Sequence, residues 1–176
     1  MAQRNAQQTT KQLILAAKKG DAEAQFNLGN MYHDGEGVPQ DYDQALKYFR
    51  LAAEQGVASA QYNLGLMYGK GEGVQMSKAD CMIWLEEAAN QGHATSMITL
   101  GKLYGNLATS KIEGYFFSSS KNFFPDAMVN CLKWFYLAGI HGVDNAEELI
   151  KIACSTATKE EIAQAQELAR NWKPKK

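Results

Sequence analysis

Four sets of residues in this chain are of types that do chemistry, and each has a spacing that can be tested. Ser118-Ser119-Ser120-Lys121 fits S-x-x-K, the nucleophile spacing of penicillin-recognising enzymes, in which an amine activates a serine hydroxyl. The S-D-N and K-T-G elements that complete such a site are absent, so the run reads as a polar loop and no catalytic residue is assigned. His33, His93 and His141 lie far apart, and none has a second histidine three or four residues on, so no metal site is expected. Cys81, Cys131 and Cys154 are odd in number and widely spaced, which is neither a disulfide framework nor a zinc pattern. They read as reduced, buried thiols. Asp34-Gly35-Glu36-Gly37 alternates acids with glycines but falls short of a calcium loop. Gly-Glu-Gly also fails as a phosphate cradle, because no lysine follows and the acid repels phosphate. Neither a cofactor nor a metal is expected.

The elements that hold these residues are legible in the wider composition. At 176 residues the chain matches roughly one domain on a ~150-residue prior and can bury a core without staples. Apolar residues make up 45% and charged residues 21%, as in a globular protein. Lys plus Arg is 18 against Asp plus Glu 19, a net charge of −1 that excludes the strongly basic nucleic-acid binders. The basic tail of Arg170, Lys173, Lys175 and Lys176 reads as a helix-dipole and solubility feature. No uncharged apolar run approaches the ~18 residues that a membrane span requires, so no membrane association is expected. Met1–Gln8 shows no apolar signal core, and a cytoplasmic setting is the expectation.

A repeat organises the sequence. Asp21–Gly56 and Val57–Gly92 align without a gap as 36-residue blocks with 16 identical positions. A third copy, His93–Gly142, is 50 residues long and so carries a 14-residue insertion within Asn106–Asp126. Residues 1–20 resemble a closing half-repeat and 143–176 a degenerate closing unit, so one domain of cap, three repeats and cap is expected over 1–176. Each block reads as two helices. Ala24, Leu28, Met31 and Tyr32 mark one face of the opening helix, repeated by Ala60, Leu64, Met67 and Tyr68 and by Ser96, Leu100, Leu103 and Tyr104. Ala45, Tyr48, Phe49, Ala52 and Ala53 mark the closing helix, as do Cys81, Trp84, Leu85, Ala88 and Ala89.

Asp41 with Gln44, Ser77 with Asp80 and Thr158 with Glu161 have capping spacing. Gly56, Gly92 and Gly142 fit left-handed helix ends. Gly29, Gly65 and Gly101 lie inside opening helices at a cost of ~1 kcal/mol each relative to Ala. That cost predicts close helix approach, with the small Ala45, Cys81 and Cys131 expected on the other side. Cys81 and Cys131 fall on neighbouring closing helices. Such helices lie ~8–10 Å apart, too far for a disulfide.

The pattern A-Q-[FY]-N-L-G-x-M-Y, G-E-G-V and A-A-x-Q-G resembles the Sel1-like repeat family, relatives of the tetratricopeptide repeats. The resemblance implies an all-α, right-handed α-solenoid of helix-turn-helix repeats with capping helices. It also implies a protein-interaction scaffold or adaptor that takes a protein or peptide on its concave face, in a narrower version a bacterial immunity or regulatory protein. Cysteine-rich relatives carry a disulfide in each repeat, and some are linked to β-lactam binding. This chain lacks those paired cysteines, which counts against the alternative of a hydrolase or β-lactam-binding enzyme of that type.

On each opening helix, 100° steps place one row opposite the core stripe. It holds Phe26, Asn30 and His33, then Tyr62, Leu66 and Gly69, then Ile98, Lys102 and Gly105. Phe26, Tyr62 and Ile98 have packing between helices as their competing role, whereas Asn30, Leu66 and Lys102 are the better contact candidates. Asn27 and Asn63 belong to the repeat motif and read as bonding within the scaffold. The insertion contributes Tyr115, Phe116 and Phe117 with Phe123 and Phe124, aromatics that either fold back or await a partner.

Overall fold

The computed structural model describes residues 2–109 and 126–175, with side chains from Thr10 onward. Among the described residues every regular element is a helix. They are α1 (Ala2–Lys18), α2 (Ala22–Asp34), α3 (Tyr42–Glu54), α4 (Ala58–Lys70), α5 (Lys78–Asn90), α6 (Ala94–Thr109), α7 (Ala127–Ile140), α8 (Ala146–Cys154) and α9 (Lys159–Asn171). The chain divides into two compact units, Met1–Ala88 and Ala89–Lys176.

In the first unit α1 packs on α2, α2 on α3 and α3 on α4. Its core joins Ala45, Phe49, Ala52 and Ala53 of α3 to Ala60, Leu64 and Met67 of α4, with Phe26 and Tyr32 packed against them. Ala17, Ala24, Leu28 and Tyr48 form a second cluster. These are the two predicted stripes, each buried against its neighbour because neither helix can hide its apolar face alone. In the second unit α6 packs on α7, and α7 on α8 and α9. Met97, Leu100, Leu132, Trp134, Phe135 and Leu137 are buried there.

The predicted caps are in place. Asp41 accepts from the Gln44 amide at 3.0 Å and Ser77 from the Asp80 amide at 3.2 Å. Thr158 and Glu161 form a reciprocal capping box. Gly56, Gly92 and Gly142 have φ of 88°, 93° and 76°, the left-handed helix ends that the sequence called for.

The interior glycines do mark close approach, but the neighbour differs from the expected one. A Cβ at Gly29 would fall 2.6 Å from the Phe49 ring, and one at Gly101 would overlap the Phe135 ring. At Gly65 it would meet Leu85 Cγ at 3.0 Å and the Cys81 carbonyl oxygen at 3.1 Å. The glycines therefore make room mainly for large side chains one turn beyond Ala45, Cys81 and Cys131. The two thiols lie against the next glycines instead, with a Cβ at Gly69 falling 3.1 Å from Cys81 Sγ and one at Gly105 3.2 Å from Cys131 Sγ.

The third repeat also departs within Asn106–Asp126. Helix α6 runs on to Thr109, through four residues assigned to the insertion range. The reason is local. Gly35 and Gly71 end α2 and α4 in left-handed geometry at φ 74° and 76°, and Leu107 stands at the matching place in α6. A leucine resists that conformation and favours the helix, so the helix continues.

Candidate functional site

The first unit contains a crevice between the exposed sides of α2 and α4. Three α2 side chains line it, Asn30, His33 and Asp34. Helix α4 contributes Asn63, Leu66, Met67 and Lys70, and Glu72 enters from the turn that follows. Its volume is about 210 Å³. Liquid water takes ≈ 30 Å³ per molecule, so the crevice holds roughly seven waters. Small-molecule and cofactor sites typically need ≈ 300–1,000 Å³. The crevice is sized for one side chain of a partner.

Local sequence rules place each wall. Asn30 and Leu66 occupy equivalent positions, opposite the buried Leu28 and Leu64 stripes, and so point outward on neighbouring helices. Asn63 Nδ2 donates to Asn30 Oδ1 at 3.0 Å, tying the two helices across the floor. His33 Nδ1 lies 2.6 Å from Asp34 Oδ1, and Nε2 lies 3.3 Å from Glu72 Oε2. Lys70 Nζ completes the chain 3.4 Å from Glu72 Oε1. The His33 ring rests on Tyr42 at 5.4 Å and Phe49 at 6.3 Å, which fixes its direction.

Glu72 owes its position to the next residue. Gly73 has φ 65°, and a Cβ there would fall 2.6 Å from the Tyr42 carbonyl oxygen. Only glycine lets the turn sit this low on the start of α3, and that seat carries Glu72 to His33.

Three predicted residues, Asn30, His33 and Leu66, meet in this crevice. Phe26 does not line it. It packs on the core with its ring 6.1 Å from Phe49, the competing role. Tyr62 is half-buried outside the lining, and Ile98 is buried in the second unit. Lys102 is exposed on α6 of the second unit. Tyr115, Phe116 and Phe117 lie outside the described residues, as do Ser118 and Lys121. Asn63 bonds within the scaffold as expected, and its acceptor is Asn30 itself. Asp34, Met67, Lys70 and Glu72 were not predicted.

The remaining reactive groups are set up structurally. All three cysteines are free. Burial raises the Cys81 thiol, and burial with the nearby Cys154 pushes Cys131 up to about 11, so neither is a nucleophile at neutral pH. His93 is half-buried. Its Nδ1 accepts from the Ser96 amide at 3.3 Å at the start of α6, and burial lowers its pKa from 6.5. His141 is exposed, with its ring 5.6 Å from Trp172. Among the described residues no group of three His, Cys, Asp or Glu could hold a metal ion.

Comparison with known proteins gives a consistent picture. Residues 22–57 and 58–93 each match the Sel1 repeat family model. A Sel1 repeat protein from Oxalobacter formigenes is similar in structure, with TM-score 0.63 and 29% identity over 81% of this chain and 96% of that one. The protective antigen c5321 of uropathogenic Escherichia coli, described as displaying an SLR fold, matches with TM-score 0.61 at 22% identity. It shares the fold over 93% of this chain, which spans 40% of that longer protein. No curated protein sequence matches.

Proposed function

The chain carries two Sel1 repeats over residues 22–93, and from that premise we propose that it is a non-enzymatic scaffold whose partner lies along the exposed face of α2 and α4. Sel1 repeats generally build protein–protein interaction scaffolds, which supports the reading. The observation that carries it is the Asn30–Asn63–Leu66 crevice, too small for a cofactor and open on the side that the core does not use. The Asn30–Asn63 bond uses one donor and one acceptor, and each carboxamide keeps further capacity for peptide groups. The bacterial sources of the two similar structures support a bacterial setting. Among the described residues no helix is long and apolar enough to cross a membrane.

The test is capture of a partner from the host by immobilised wild-type chain, beside Leu66→Arg and Asn30→Ala. The expected result is a stoichiometric complex weakened at least tenfold by Leu66→Arg, with unchanged helical circular dichroism. A complex of equal strength in both variants moves the interface elsewhere.

A further inference from the structure

The crevice has a chemical preference, and the groups around it state which. On α2, Asp34 lines the crevice beside Asn30, one turn further along the helix, and is exposed. Glu72 reaches the same face from its turn, and its neighbour Lys70 is already 3.4 Å from it. Asp34 and Glu72 thus stand against one lysine, with the His33 ring between the two carboxylates. An incoming carboxylate would meet two carboxylates and an ammonium already engaged. A cation meets the reverse.

We infer that the crevice receives an arginine side chain from a basic segment of the partner. This rests on the reading of α2 and α4 as the binding face, and adds the chemistry of the occupant. A crevice of about 210 Å³ has room for one long side chain such as that of arginine. Leu66 and Met67 give its methylene stem an apolar wall, the arrangement long cationic side chains use when they bury the stem and keep the head polar. The guanidinium has five N–H donors and no acceptor. Oxygens of the lining suit it, because His33 engages only Oδ1 of Asp34, and Asn63 uses its amide nitrogen on Asn30. A planar fork also matches a carboxylate beside a carboxamide better than a lysine ammonium does.

The test uses the full chain labelled with ¹⁵N and three probes in the millimolar range: N-acetyl-arginine methylamide, its neutral isostere N-acetyl-citrulline methylamide, and N-acetyl-glutamate methylamide. The arginine probe is expected to shift the Asn30 and Asn63 side-chain amides and the Leu66 backbone amide saturably. The citrulline probe should bind at least tenfold more weakly and the glutamate probe should leave those signals in place. Asp34→Asn, at an exposed position that leaves folding intact, should weaken the arginine response about tenfold, and added salt should weaken it further. Equal response to citrulline, a stronger response to glutamate, indifference to Asp34→Asn, or no arginine response at all each overturns the inference. The scaffold reading is judged separately, by whether Leu66→Arg still releases the captured partner.

Discussion

The first two repeats and the third solve the same packing problem with different materials. Gln25 and Gln61 are buried, and each sends its amide back to the end of the preceding helix, to the Ala17 and Ala53 carbonyls at 3.1 Å. The third repeat has Met97 at that place, also buried, so apolar volume replaces a polar strap. Where the first repeat has His33 and Ala45 at matching positions, the second and third set Gly69 and Gly105 against the larger Cys81 and Cys131. Bulk has moved from one helix to the other. The slot of Gly29, Gly65 and Gly101 stays the same throughout. The difference teaches that the fold depends on that slot and on filled volume, while the polar fittings are local choices, and the candidate site is made of those fittings.

The comparison is open to breakage at several places. The largest effect is expected at the shared slot. Gly29→Val and Gly101→Val should each cost about 3 kcal/mol by overpacking against Phe49 and Phe135, read from urea unfolding. Shaving the opposing ring, with Phe49→Leu or Phe135→Leu, should return part of the loss. A neutral Gly101→Val would show that the third repeat does not share the slot. Next comes the strap. Gln61→Met imitates the third repeat and should cost about 1 kcal/mol, since the Ala53 carbonyl keeps its bond from the Gly56 amide.

His93 marks a distinction by acidity. Burial holds its folded pKa below the ordinary 6.5, so the unfolded chain binds more protons and stability falls as pH drops below that value. Thermal melts from pH 7.5 down to 5.5 should show the decline, and His93→Asn, which keeps a capping acceptor without the titration, should flatten it. Least of all is expected from Glu72→Gln. Its partners are partly exposed, so less than ~0.5 kcal/mol should be lost, and any larger loss would mean that the site serves the fold.

Much of the scaffold was legible because it is written in local rules. The stripe containing Leu28 and Leu64, the Asp41 and Ser77 caps and the turn glycines each follow from spacing within one helix or turn. The candidate site was legible only in half. Asn30, His33 and Leu66 could be found by projecting each helix separately. Glu72 could not, since its partner His33 lies 39 residues away and its own motif reads as a turn. The signal was present in the seat of Gly73 on Tyr42, a contact between repeats that no single block reveals. Phe26 took its competing role, packing between helices. A helical wheel sees an outward direction, and the neighbouring α3 fills that direction with Phe49.

The seat of Gly73 has a further result for how such a chain lengthens. Because a methyl group there has no room above the α3 backbone, the turn works as a ruler, and any duplicated 36-residue unit must measure up to it to dock. The third copy has Thr109 at the matching position and a length of 50 residues. It is what a daughter copy becomes once freed from that gauge: still able to pack its helices, and at liberty to gain sequence at the joint where the second copy is pegged.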